Sequence, residues 1–143
     1  MEFAQQSAGS ISIVPEGNIL VIGPPSGVAR EAIRAALKRR GHTVDIAHLD
    51  ISAMDDIDRY DLLILEIDTH DAEGVQHCVR VREVTLAPLM VLVLETARSQ
   101  GIQALDLGAD SFLLLPFNRR ELVARCEALM RRYRQLWFHL RVS

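Results

Sequence analysis

Residues 60–68 read Tyr-Asp-Leu-Leu-Ile-Leu-Glu-Ile-Asp, and the unbroken apolar run from Leu62 to Leu65 constrains the fold more than any other stretch. A strand with no polar alternation is buried on both faces. It belongs at the centre of a parallel sheet, with helices covering it above and below. Open α/β sheets place their chemistry in the crevice outside the carboxyl ends of the strands. Glu66 stands at that end.

The rest of the chain supplies partners for such a strand. Ile19-Leu20-Val21-Ile22 is a strand broken by Gly23-Pro24-Pro25, and Ser26 is an N-cap residue for a helix to about Arg40 that Gly41 stops. Ile33, Ala36 and Leu37 form its apolar stripe, with Arg30, Glu31, Arg34 and Lys38 toward water. Residues 43–47 alternate, as expected of a strand nearer an edge, and residues 51–58 are acidic and weakly helical. A helix follows over 74–83, with Val75, Cys78, Val79 and Val81 as apolar positions. Pro88 opens a fourth strand over 89–94; a helix over 99–107 closes at Gly108, and a fifth strand over 111–115 stops at Pro116. The last helix begins after Asn118, with Glu121 as its capping-box partner and Leu122, Val123, Cys126, Leu129 and Met130 facing inward. Strands alternating with helices predict an α/β fold, a five-stranded parallel sheet with helices on both faces.

At 143 residues this is one domain, and 49% hydrophobic with 24% charged residues is ordinary globular composition. A net charge of −3 gives no whole-chain reason to expect nucleic acid or membrane as a partner. The arginines at 131, 132, 134 and 141 lack a recognition helix or stacking platform beside them. There is no basic start followed by an apolar stretch, so a cytoplasmic protein is expected. Cys78 and Cys126 lack metal-ligand spacing and read as packed, reduced thiols. The remaining histidines, His42, His48, His77 and His139, are scattered and expected to face solvent.

Three segments together resemble the receiver domain of bacterial response regulators. They are Asp61-Leu-Leu-Ile-Leu-Glu66 with Gly74 eight residues on, Leu107-Gly-Ala-Asp-Ser-Phe-Leu-Leu-Leu-Pro-Phe117, and Glu121-Leu-Val-Ala-Arg125 followed by Arg131-Arg132. The last is similar to the OmpR/PhoB-type subgroup. The resemblance covers residues 18–133, leaving 1–17 as a tail and 134–143 as a helical extension or linker. It implies the flavodoxin-like doubly wound fold with strand order 2-1-3-4-5.

Receivers take a phosphoryl group from a histidine kinase onto an aspartate, with Mg²⁺ held by oxygen ligands. The resemblance places that acceptor at Glu66, whose extra methylene carries the carboxylate about 1.5 Å further out. The family's acidic pair falls on Gly23 and Pro24, and its lysine on Leu115. Its hydroxyl residue at the end of the fourth strand falls on Glu95 or Thr96. Asp68 occupies a position that offers a backbone carbonyl to the metal. With His70, Asp71 and Glu73 it forms an acidic loop, read as solvated and not as a metal site. The expectation is therefore an aspartate-less pseudo-receiver with a degenerate pocket, no cofactor and no metal, and no enzymatic activity of its own. Three alternatives remain open: a small-ligand sensor using the crevice around Gly23, Glu66 and Thr96, a phospho-receiver with Asp68 as substitute acceptor, and a Glu66 that imitates phospho-aspartate.

The resemblance also implies surfaces. Phe112 falls on the family's switch aromatic. Asp106, Asp110, Glu121 and Arg125 resemble the charges around the dimer face built from the fourth helix, fifth strand and fifth helix. A two-fold homodimer is expected, acting in signalling or transcriptional control, with an effector domain outside this chain as a further partner. The apolar residues Leu136, Trp137, Phe138 and Leu140 either pack back, extend that face or begin a linker.

Overall fold

Five short apolar stretches pair side by side in the computed structural model, which describes residues 16–24, 29–48, 56–68 and 74–142, the side chains of residues 139–142 excepted. The strands are β1 (Asn18–Ile22), β2 (Thr43–Ala47), β3 (Leu62–Glu66), β4 (Leu89–Leu94) and β5 (Ser111–Leu115). All neighbours are parallel and the order is β2-β1-β3-β4-β5. This is the doubly wound order expected, with β3 at the centre and the alternating β2 at an edge. The described α-helices are α1 (Arg30–Lys38), α2 (His77–Val84), α3 (Arg98–Asp106) and α4 (Arg119–Val142).

Strand alternation divides the core into two layers. On one face Ile19, Val21, Leu62, Ile64, Met90 and Leu92 lie under Ile33 and Leu37 of α1 and Leu122, Cys126 and Met130 of α4. On the other, Leu20, Ile22, Leu63, Leu65, Val91 and Val93 meet Cys78 and Val81 of α2 and Ala104 of α3. The four residues Leu62 to Leu65 are wholly buried. Each contributes about 1.5–3 kcal/mol from leaving water.

Local signals set most helix ends. α1 and α3 stop ahead of Gly41 and Gly108, whose φ angles of 91° and 115° side-chain-bearing residues rarely adopt. The Asn118 side chain accepts the Glu121 amide N–H at 3.1 Å, but the Glu121 carboxylate turns forward to Arg125, so only half of the capping box forms. α1 begins at Arg30, and Ser26 lies outside the described residues, as do residues 51–55. A 3₁₀ turn (Ile57–Arg59) precedes β3, and another (Gly74–Gln76) opens the segment expected as a single helix. Val79 is only partly covered on α2, whereas Val75, Cys78 and Val81 are buried. Both cysteines are free and buried, and burial raises the Cys78 thiol pKa to about 11 and the Cys126 thiol still further.

Two polar clusters hold the elements together, and the first corrects the sequence reading. His42 is not solvent-facing but 4% exposed. Its Nδ1 accepts the Gly17 N–H at 3.1 Å and its Nε2 meets Glu127 at 3.0 Å. Arg40 grips the same carboxylate through two bonds, of 2.9 and 3.0 Å. Burial alone would raise the Glu127 pKa, but the bonds from Arg40 and His42 outweigh it and hold the group below its ordinary value. The cluster ties the entry of β1 and the exit of α1 to α4. Asp110, which is exposed, also bonds within the chain: its carboxylate accepts Arg82 at 2.6 Å and the Leu89 N–H at 2.8 Å. Arg82 also donates to the carbonyls of Gly108 and Ala87, so one guanidinium fixes the starts of β4 and β5.

The α3–β5 contact is equally close. A Cβ added to Gly101 would stand 2.5 Å from Cδ1 of Phe112, so the ring of Phe112 rests directly on the α3 backbone. Gly101→Ala is therefore expected to push the Phe112 ring off its seat and to cost about 1–3 kcal/mol. Phe112 ring-proton shifts and denaturant unfolding check this; unchanged ring shifts would contradict the contact.

Candidate functional site

The carboxyl ends of β1, β3, β4 and β5 converge on the rim where the sequence places the site. β1 runs directly into Gly23, which is buried and donates its N–H to the Ala47 carbonyl at 3.2 Å. Pro24 is buried beside it, and its carbonyl accepts a 3.5 Å bond from Arg30 at the start of α1. Glu66 ends β3 on the strand face shared with Leu62 and Ile64, paired in register with Leu92.

Glu66 lies within van der Waals reach of the position-23 backbone. A Cβ on Gly23 would stand 3.4 Å from Cβ and 3.6 Å from Oε1 of Glu66. That Oε1 atom is buried and accepts no hydrogen bond among the described residues. Burial raises the Glu66 pKa above its ordinary value, the Arg30 charge pulls the other way, and Asp68 raises it further. Arg30, expected to face water, is half-buried and contributes the one opposing charge that bears on this carboxyl. The sequence signal for it was its place in the first turn of α1, which points back at the rim.

The other expected positions separate. Leu115 is 9% exposed and packs in the α1/α4-side layer with Leu92, Leu113 and Phe117, an apolar role in place of a cationic one. β4 remains paired through Val93 and Leu94 with Leu114 and Leu115. Glu95 and Thr96 lie just beyond the strand end, exposed in a 3₁₀ turn (Glu95–Ala97). The strand ends at Leu94, one residue before Glu95 and two before Thr96. Asp68 is half-buried past β3; a Cβ on Gly74 would come within 3.1 Å of its carbonyl oxygen, which explains the glycine at that spacing. His70, Asp71 and Glu73 lie outside the described residues.

This donor set does not fit a hard divalent cation. Gly23, Pro24 and Leu115 offer no side-chain oxygen, and Mg²⁺ is bound through carboxylates, carbonyls and water in octahedral geometry. Among the described residues no three His, Cys, Asp or Glu side chains come together as a metal site. Of the Gly23, Glu66 and Thr96 positions, Gly23 and Glu66 lie side by side at the rim, and Thr96 is exposed beyond the end of β4.

Of the expected dimer-face residues, Asp106 is exposed at the end of α3. Glu121 and Arg125 pair with each other on α4 at 3.0 Å, and Arg125 also reaches the Ser111 hydroxyl at 3.3 Å. Ile102 and Leu105, on α3 with Asp106, are 53% and 40% exposed. α4 continues past Tyr133 with Leu136, Trp137 and Phe138 exposed, and Trp137 meets Tyr133 edge-on at 6.1 Å. No described helix is long and apolar enough to cross a membrane.

The fold and rim geometry agree with relationships visible in the whole sequence. Residues 26–127 match the family described as "Response regulator receiver domain". The chain is 37% identical over 117 residues to "Response regulator MprA" of Mycobacterium avium (strain 104), covering 80% of this chain and 51% of that protein. The protein of the same name from Mycobacterium tuberculosis (strain ATCC 25618 / H37Rv) is also 37% identical, with 80% and 50% covered. The chain therefore spans about half the length of these relatives. Among solved structures, a two-component response regulator from Clostridium difficile aligns with a TM-score of 0.70 at 27% identity, over 82% of this chain and 98% of that one. The receiver domain of the TMAO respiratory system response regulator TorR shares the fold, with a TM-score of 0.68 at 24% identity, over 83% of this chain and 99% of that one. On the extent of the family match and the fold together, this chain belongs to the response regulator receiver domain family.

Proposed function

We propose that this receiver works by protein–protein contact, without accepting a phosphoryl group from a histidine kinase and without enzymatic activity of its own. The observation that carries the reading is the Glu66 carboxylate beside Gly23, with one oxygen buried and unpartnered among the described residues. Transfer to a carboxylate needs cationic neutralisation of the transferring group. Here the rim supplies Gly23, Pro24 and Leu115 where side-chain oxygens and a cation would be required. The desolvated carboxyl is also poorly suited to imitate a phosphoryl group, because that role calls for an exposed, fully ionised anion with a cationic partner.

The contact surface belongs to the α3–β5–α4 side. Its apolar centre is Ile102 and Leu105, rimmed by Asp106 and the Glu121–Arg125 pair. Exposed ion pairs add little energy but set register and orientation, as a two-fold homodimer needs. Asp110 is left out of this set because Arg82 and Leu89 already engage it. Output through an effector domain, in bacterial signalling or transcriptional control, is part of the same proposal.

Three expected outcomes test it. Amide NMR spectra recorded before and after Mg²⁺ with fluoroberyllate should show no saturable shift at Glu66, Asp68 or Leu115; shifts there that spread to Phe112 and α4, or acid-labile phosphate on Asp68, would sink the proposal. For Glu66 the sign follows from its raised pKa. The folded chain holds this proton more tightly than the unfolded chain, so the stability it contributes is full below about 4.5 and is lost as pH rises through the folded value. Glu66→Gln should therefore raise Tm by roughly 2–4 °C at pH 7, and the gap should close in acid. Finally, sedimentation should report a dimer that Ile102→Glu converts to monomer; an unchanged dimer would place the interface elsewhere.

A further inference from the structure

Fifteen of the sixteen basic residues are arginine, and several gather where α1 ends beside the first half of α4. Between these helices lies a cleft of about 400 Å³. Ala36, Val123 and Ala124 make its walls small and apolar, while Arg39, Arg40, Arg119 and Arg120 bring four guanidinium groups to its lining. The one carboxylate there is Glu127, and it is already committed to Arg40 and the buried His42. Arg39, Arg119 and Arg120 are exposed, and none has a hydrogen bond or ion pair from its guanidinium among the described residues. A positive cleft thus stands on a chain whose net charge is −3.

The placement of Arg119 and Arg120 runs against local electrostatics. They occupy the first turn of the 24-residue helix α4, where the macrodipole is positive and cations are disfavoured. Residues that break a local rule without a compensating contact in the fold are found where function supplies the compensation. An anion in the cleft would be that compensation, meeting guanidinium forks that bind phosphate oxygens in pairs. The volume is that of a small-molecule site, and the alanine and valine walls leave room for an apolar ring.

We propose that the α1–α4 cleft binds a phosphorylated small molecule of nucleoside diphosphate size, independently of the Glu66 rim. Its phosphates sit among Arg39, Arg119 and Arg120, and its organic part lies on Ala36, Val123 and Ala124. Because the two helices are otherwise joined here by the Arg40–Glu127–His42 cluster, occupancy stiffens a junction that also anchors the entry of β1.

Amide and arginine side-chain NMR spectra of the whole chain, titrated with pyrophosphate and separately with ADP at physiological ionic strength, test the proposal. Saturable shifts are expected at Ala36, Val123 and Ala124 and at the Nε–H groups of Arg39, Arg119 and Arg120, with ADP binding more tightly than pyrophosphate. The double variant Arg119→Gln/Arg120→Gln should weaken binding about tenfold or more. Arg131→Gln/Arg132→Gln, which removes the same charge further along α4, should leave affinity within about twofold. Replacing exposed cations at a helix start does not threaten the fold, and unchanged shifts outside the cleft would verify that. Drift matched by sodium chloride of equal ionic strength would overturn the site, as would equal weakening by both double variants. Equal affinity for ADP and pyrophosphate would overturn the nucleoside part.

Discussion

Burial of the central strands on both faces is the constraint on which everything else depends. Leu62 to Leu65 alternate between the two core layers, so neither face of β3 can be left to water. Helices must cover both sides, and parallel pairing with crossover helices satisfies that demand while pairing every backbone group of the strand. The same geometry gathers the carboxyl ends of the strands at one rim, where Gly23, Glu66 and Leu94 leave the sheet.

At that rim the side chains reverse the usual balance between solvation and charge. A carboxyl beside a glycine backbone, with one oxygen buried and unpartnered among the described residues, has its pKa raised by burial. Leu115 extends the apolar layer up to the site, so the local environment is that of a core margin more than of an ion-binding cup. By contrast, the charged groups that are well satisfied lie elsewhere: Arg82 at the other end of the sheet, and the Arg40–Glu127–His42 cluster between α1 and α4.

The elements legible in the residues were those with strong local signals. The strands showed as apolar runs, the helix stops as Gly41 and Gly108, and the α4 start as Asn118. The misplaced residues all depended on distant partners. His42 looked like a surface histidine because its partners, Gly17 and Glu127, lie 25 and 85 positions away. The Arg82–Asp110 bond was not legible because the two lie 28 residues apart. Glu95 and Thr96 both remained candidates after β4 because motif spacing, unlike strand register, does not say where pairing stops.

By itself the sequence determined the layered α/β fold, its strand order through a family resemblance, and the chemical identities at the rim. Those follow from local periodicity, turn residues and side-chain type, which need no knowledge of distant neighbours. Tertiary structure alone decided that Glu66 lies beside Gly23 with a desolvated oxygen, that Phe112 rests on Gly101, and that two arginines just past α1 and two opening α4 line one cleft. Each of these is a contact between different elements of the fold. Its energy is set by the packing of the two sheet faces, and no local pattern encodes it.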